Sequence, residues 1–265
     1  VVGSSTVYPF ATVVAENFGR QDNGFKTPII ESTGSGGGLK LFCTGKGPST
    51  PDVTNASRRI KEREVALCAK NGINEIIEHK IGFDGIVIAN AKNGPTFELS
   101  RKDLYMALAA KVPCGIQDGV TCDNEAKTWK DVNSSLPDIR IEVYGPPPTS
   151  GTRDAFAELG LGGGCKMIPW VKKFKKKDKS AWKQLCYTVR EDGAYIETGE
   201  NDNLIIQKLV NNPNAVGVFG FSFLDQNTDS VKGSTVDGIV PTFESIASGD
   251  YKVSRSLFFY VKKAH

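Results

Sequence analysis

Residues 33–40, Thr33-Gly34-Ser35-Gly36-Gly37-Gly38-Leu39-Lys40, set four glycines and a serine shortly after Pro28-Ile29-Ile30 and ahead of a helix-forming segment. A glycine-rich strand-to-helix turn presents several backbone N–H groups at a helix N-terminus, where they and the helix dipole attract anions. Glycine suits such a turn because it lets the backbone come close to a ligand. The pattern recurs at Gly3-Ser4-Ser5-Thr6-Val7 and at Thr149-Ser150-Gly151-Thr152-Arg153. Three such turns, each rich in Ser/Thr and each opening a helix, point to loops that meet around one small oxyanion.

A chain of 265 residues is long enough for one domain or two. Its 39% hydrophobic and 24% charged content is ordinary for a globular protein. A net charge of +3 is too small to imply nucleic acid or an anionic membrane. No run approaches the roughly 18 apolar residues that span a bilayer. The N-terminus reads as a strand entering a loop, consistent with a mature chain whose export signal has been removed.

The six cysteines, Cys43, Cys68, Cys114, Cys122, Cys165 and Cys186, contain no C-x-x-C pair. With His79 and His265 as the only histidines, a Cys/His metal site is not expected. Six reduced thiols in a cytosolic protein are one reading; disulfides in an oxidising compartment are the one favoured here. Closeness in sequence suggests Cys43–Cys68, Cys114–Cys122 and Cys165–Cys186.

Hydrophobic spacing and turn residues predict a short strand over 1–7, a helix over 9–18 carrying Phe10, Val13, Val14, Asn17 and Phe18, and a strand over 26–32. A second helix is expected over 38–44, a strand over 52–56 and a polar helix over 61–71. Strands follow at 75–79 and 83–89. Beyond Asn93-Gly94-Pro95, Ser100 caps a helix over 103–110, 114–122 forms a small loop, and 139–144 alternates as a half-exposed strand. The turn after it leads to a helix over 154–159. Helices over 200–210 and 242–248 and strands over 215–221, 239–240 and 257–261 complete the order. The result is an α/β chain with repeated strand–turn–helix units. The basic run at 171–178 reads as a solvated face, because only Phe174 interrupts the charges and no stacking platform is evident.

Catalysis finds little support. His79 ends a strand, no Gly-x-Ser-x-Gly elbow is present, and Asp52, Asp84 and Asp154 are too scattered to argue a metal cluster. Gly45-Lys46 does not complete a phosphate loop, since Lys40 stands where that motif begins with glycine and Gly47 replaces its Ser/Thr. An oxyanion is best balanced by arginine, whose planar fork makes two parallel hydrogen bonds. Arg58 and Arg153 stand beside the loops.

Gly3-Ser4-Ser5-Thr6-Val7-Tyr8-Pro9, Gly34-Ser35-Gly36-Gly37-Gly38, Asn55-Ala56-Ser57-Arg58 and Ser150-Gly151-Thr152-Arg153 together resemble the phosphate-binding proteins of bacterial phosphate-specific ABC importers. These are the PstS-type periplasmic receptors, and the resemblance reaches the closing segment Ser254-Arg255-Ser256-Leu257-Phe258-Phe259-Tyr260-Val261. It implies a type II-like periplasmic-binding-protein fold: two lobes, each a mixed sheet flanked by helices, joined by a hinge of crossing strands. The expected lobes are 1–89 with 225–265, and 90–224. It further implies a non-catalytic receptor, without cofactor or metal, that binds inorganic phosphate. Such a receptor delivers its ligand as a monomer to the transmembrane subunits of an importer. The implied phosphate-binding residues are Ser5, Thr6, Val7, Ser35, Gly36 and Arg58 in one lobe, and Ser150, Gly151, Thr152 and Arg153 in the other. The alternative is a receptor for sulfate, molybdate or a phosphate ester, with a secreted phosphatase or an adhesive surface protein more distant.

Two departures from the family pattern stand out. Its best-known members place an aspartate after the serine matching Ser57, and that carboxylate accepts the phosphate proton and so rejects sulfate; Arg58 stands there instead. They also place an arginine four residues before the serine matching Ser150, where this chain has Pro146. The cationic role therefore falls to Arg58, Arg153 or both, and the proton-reading role to another carboxylate, with Asp84 and Asp154 as candidates.

Overall fold

The structure is a computed structural model and describes residues 1–21, 24–115, 118–199 and 201–263. The chain divides into two compact units, Val1–Asp84 with Arg255–His265, and Gly85–Ser254.

The first unit runs β1 (Val2–Gly3), α1 (Tyr8–Arg20), β2 (Glu31–Ser32), α2 (Gly34–Phe42), β3 (Val53–Ala56), α3 (Glu62–Lys70) and the opening half of β4 (Ile76–Ala91). β1 is the middle of a parallel trio, with Gly3 opposite Ser32 on β2 and Asn55 on β3. All three strands thus end at the same edge. The glycine stretch differs from expectation, because α2 starts at Gly34 and the glycines form its first turns. Packing explains how a glycine-rich helix persists against poor propensity. A Cβ at Gly38 would stand 2.5 Å from the Cα of Gly3 and 2.8 Å from Thr54 Oγ1, so the helix seats directly on β1 and β3.

Leu39 and Phe42 of α2 join Ala56, Ile73, Phe258 and Tyr260 in the core of this unit. The Cys43–Cys68 disulfide ties the end of α2 to α3, with Cα atoms 4.2 Å apart. In α1 the buried residues are Ala11 and Ala15, whereas Phe10 is 64% and Val14 62% exposed. The apolar spacing marked the helix correctly, but its small residues face the protein.

The two strands expected at 75–79 and 83–89 are one 16-residue strand, β4, and the unit boundary at Asp84–Gly85 falls inside it. The strand runs unbroken through residues 80–82 and leaves no turn there. In the second unit follow β5 (Glu98–Leu99), α4 (Arg101–Leu108), β6 (Lys111–Pro113), β7 (Thr121–Asp123), α5 (Trp129–Val132), β8 (Val143–Gly145) and α6 (Gly151–Ala155). A π-helical turn, Phe156–Leu161, passes into α7 (Gly162–Cys165), then α8 (Pro169–Lys177), α9 (Lys179–Tyr187), β9 (Tyr195–Glu197), α10 (Asp202–Asn211) and β10 (Val216–Gly220). Next come α11 (Phe221–Gln226), β11 (Val231–Gly233), β12 (Thr235–Val236) and α12 (Phe243–Ser248), before β13 (Ser254–Lys262) returns the chain to the first unit.

Here the second half of β4 pairs antiparallel with β10, and β10, β8 and β9 run parallel. Val87, Ala89, Ile205, Leu209 and Phe219 form the core. Residues 225–254, expected with the first lobe, belong to this unit because Leu224 and Val231 pack into the same core and β11 pairs with β4. The expected strand at 139–144 shrinks to β8, and 239–240 contributes only a bridge between Ile239 and Val236. His265 and Glu200, the expected start of a helix, lie outside the described residues. Cys114–Cys122 closes the β6–β7 hairpin and Cys165–Cys186 joins α7 to α9, so all three pairs follow closeness in sequence. No helix among the described residues is long and apolar enough to cross a membrane.

Two outcomes test this packing. Gly38→Ala should destabilise the chain by roughly 1–3 kcal/mol through overpacking, read as a lower denaturation midpoint. Cys43→Ala/Cys68→Ala should cost about 3 kcal/mol, the loop-entropy value for a loop of this size, read in the same unfolding experiment.

Candidate functional site

Loops at the carboxyl edges of parallel strands are where open α/β sheets receive ligands. The parallel trio of the first unit delivers three such loops to one edge: Ser4–Val7 after β1, the start of α2 after β2, and Ser57-Arg58 after β3. The side chains confirm the convergence. Ser35 Oγ accepts a hydrogen bond from the Ser57 N–H at 3.0 Å and lies 3.1 Å from Ser57 Oγ. Ser5, Thr6 and Ser35 are half-buried, Gly36 is exposed, and Val7 is buried at the start of α1. The amides in the first turn of a helix lack intrahelical partners, so Ser35 and Gly36 stand among donors.

Arg58 follows that edge, and its guanidinium is engaged. Nη1 and Nη2 donate to the two carboxylate oxygens of Glu64 at 2.9 and 2.7 Å, while Nη1 also reaches the Arg59 carbonyl. Burial opposes the Glu64 charge, yet hydrogen bonds from Arg58 and the Lys61 N–H hold its carboxyl below the usual glutamate value. Gly36 faces the same arginine, since a Cβ there would lie 3.7 Å from Nη2.

A second arginine, missed in the sequence, serves this edge. Arg255 opens β13, and its Nη2 donates to Thr6 Oγ1 at 2.7 Å while its Nε donates to Asp84 Oδ2 at 3.1 Å. Both side chains are largely buried, at 12% and 15% exposed. Burial pushes the Asp84 carboxyl up, and the Arg255 charge works against that rise. Thr6, Arg255 and Asp84 are therefore one hydrogen-bonded chain. Among the described residues the second oxygen of Asp84 accepts no hydrogen bond.

The second unit repeats the layout. β8 ends at Gly145, and Pro146–Thr149 lead to Ser150, whose Oγ accepts from the Thr152 N–H at 3.2 Å and caps α6. Ser150 is buried and Gly151 and Thr152 half-buried. Arg153 is buried, its Cζ 4.0 Å from the centre of the Tyr195 ring, and Nη1 donates to the Pro146 carbonyl at 3.3 Å. Tyr195 donates to the same carbonyl at 3.0 Å, and burial pushes its phenol up to about 12. Gly145 lacks a side chain because any Cβ would collide with the Tyr195 hydroxyl. The guanidinium from position 153 is thus brought back to the backbone of position 146. Asp154, the next residue, is exposed.

The structure therefore gathers Ser5, Thr6, Val7, Ser35, Gly36 and Arg58 at one strand edge, and Ser150, Gly151, Thr152 and Arg153 at the corresponding edge of the other unit. Arg255 and Tyr195 escaped sequence reading because each acts through a partner distant in the chain, and Glu64 because its pairing with Arg58 crosses from the end of β3 to α3 and follows no helical spacing. Only the position of Arg255 at the head of the closing strand offered a signal. Among the described residues no group of three or more His, Cys, Asp or Glu is placed to hold a metal.

Comparison with known proteins agrees with this layout. The profile of the PBP superfamily domain matches residues 1–265. The chain belongs to the PBP superfamily. Among curated members, the Phosphate-binding protein PstS of Staphylococcus haemolyticus is 32% identical over 270 residues, covering 98% of this chain and 69% of that protein. Protein SphX of Synechococcus elongatus is 30% identical over 267 residues, covering 98% and 67%. A crystal structure described as a possible phosphate binding protein from Planctomyces limnophilus superposes with a TM-score of 0.75 at 28% identity, covering 99% of this chain and 80% of that one. The α/β architecture in two units is that of the superfamily.

The Arg58–Glu64 pair carries a pH signature. Because the Glu64 carboxyl is held below its ordinary value in the folded protein, its stabilising contribution is complete above the unfolded value of about 4.3. It is lost as pH falls through the folded value. Wild type should therefore lose stability more steeply than Glu64→Gln as pH drops below about 4, measured by urea denaturation across an acid series.

Proposed function

We propose that this chain is an extracytoplasmic receptor that binds inorganic phosphate and hands it to the transmembrane subunits of an ABC importer. The observation that carries the reading is the repeated edge. In each unit Ser/Thr hydroxyls and first-turn amides gather at the carboxyl ends of parallel strands, beside an arginine fixed by its own unit. Relatives named as phosphate-binding proteins support the anion class, and three disulfides fit an oxidising compartment such as the periplasm. Donors of this kind replace the hydration shell of the ion, and the chain binds without turning the ligand over.

Cationic compensation falls to Arg255 and Arg153, with Arg58 contributing charge while its fork rests on Glu64. The carboxylate that reads the phosphate proton is Asp84. It is largely buried, Arg255 ties it to Thr6, and it keeps one oxygen open as an acceptor; Asp154 is exposed. Monohydrogen phosphate donates to such an oxygen, whereas sulfate at neutral pH has no proton to give and meets only repulsion. A site built around a ligand hydroxyl rejects the analogue lacking it because its own polar group is left unpaired.

Calorimetric titration tests the reading. Phosphate should bind wild type and sulfate should not, and a generic phosphate ester should not be hydrolysed. Arg153→Ala should weaken phosphate binding about 10–100-fold, the range for a hydrogen bond to a charged group, and Arg58→Ala should cost less. Asp84→Asn should weaken phosphate and admit sulfate. Sulfate binding as tight as phosphate in wild type would overturn the specificity, and unchanged discrimination in Asp84→Asn would remove Asp84 from its role.

A further inference from the structure

The basic segment at 171–178 has no part in the phosphate reading, yet the fold gives it a shape that a solvated face would not need. It forms α8, which carries five lysines and no acidic residue. Val171 alone is buried and anchors the helix to the second unit. Trp170 and Phe174, one turn apart with ring centroids separated by 6.5 Å, are only half-buried. Together with Ala181 and Leu185 of α9 and with Lys111, Asp118, Gly119 and Thr121 they line a groove of about 630 Å³. That volume is of the size that takes a small organic ligand.

Charge and polarity are segregated within the groove. Its lining surface is mostly apolar and includes Lys173, Lys177 and Lys111, with Asp118 the one acidic residue among those described. Lys111 is already paired with Asp123 at 2.6 Å, and Lys175 lies over the Trp182 ring at 4.5 Å. Lys173 and Lys177 are exposed and have no ion pair among the described residues. An inorganic anion would lose hydration against apolar walls that return few hydrogen bonds. A neutral apolar ligand would leave the two ammonium groups unused. A bilayer would require the aromatic residues to project outward, as in an interfacial helix, whereas here they line a concavity.

We propose that this groove binds an amphipathic monoanion, an alkyl or aryl carboxylate whose apolar body lies on Trp170 and Phe174 and whose head group meets Lys173 and Lys177. The site lies within the second unit and does not depend on the phosphate reading. Its physical logic is that of small-ligand pockets in general: apolar area provides the affinity and a few placed charges set the orientation.

The test uses the whole chain with two probes, the dye 8-anilinonaphthalene-1-sulfonate and decanoate. The dye should brighten on binding, decanoate should displace it, and inorganic phosphate should not. Trp170→Ala/Phe174→Ala and Lys173→Glu/Lys177→Glu should each weaken decanoate at least about tenfold, as expected for truncating aromatic anchors or reversing facing charges. Phosphate affinity, titrated in the same variants, should stay at the wild-type value, which keeps failure here distinct from failure of the phosphate reading. Should the aromatic double variant fail to fold, Ala181→Trp, which fills the groove from α9, must abolish decanoate binding on its own. Decanoate that does not bind at millimolar concentration, or binds equally to all three variants, overturns the proposal. So does cosedimentation with phosphatidylglycerol vesicles that charge reversal abolishes while decanoate stays unbound, since the partner is then a lipid surface.

Discussion

Direct contact between the backbones of α2 and its sheet is the constraint on which the first unit depends. Gly38 stands over Gly3 and Thr54 with no room for a methyl group, so the helix settles onto β1 and β3 at a distance that other residues would prevent. That seat aligns the start of α2 with the ends of the strands beneath it, and the alignment puts Ser35 within hydrogen-bonding reach of Ser57. A helix with four glycines in nine residues is intrinsically weak. Tertiary packing of Leu39 and Phe42, and the disulfide at its C-terminal end, hold it in place. Glycine at position 38 serves helix–sheet packing.

The second unit reaches a similar arrangement by different means. Its loop after β8 is stiffened by three consecutive prolines, Pro146-Pro147-Pro148, and the guanidinium of Arg153 is clamped between the Tyr195 ring and the Pro146 carbonyl. In the first unit the corresponding charge, Arg255, is held by Asp84 and spans to Thr6. Each arginine is held by contacts within its own unit, so its side chain has already lost much of its rotamer freedom. The difference between the two clamps has a chemical consequence. A carboxylate partner gives the first unit an acceptor as well as a cation, whereas a ring and a carbonyl leave the second unit with donors.

Charge run and apolar stripe, the two simplest sequence signals, were the ones most altered by tertiary context. The spacing of Phe10, Val13, Val14 and Phe18 marks a helix, yet α1 turns Ala11 and Ala15 inward, where Ala11 packs with Val7 and Leu257. The lysine run of α8 reads as solvent-facing, and four of its five lysines are exposed, but its two aromatics also line a groove. Periodicity reports which residues share a helix face; it does not report which face the rest of the protein covers.

The sequence by itself determined the α/β class, the order of most helices and the three Ser/Thr-rich loops, and it suggested the disulfide partners. These rest on local rules: residue spacing, capping, turn chemistry and chain proximity act over a few to a few tens of residues. Only the tertiary structure decided that 76–91 is a single strand and that residues 225–254 join the second unit. It alone paired Arg58 with Glu64 and brought Arg255, from the far end of the chain, to Thr6 and Asp84. The reason is physical. An ion pair between positions 84 and 255 leaves no periodicity or motif in either stretch, because its geometry is set by strands that meet only once the sheet has formed.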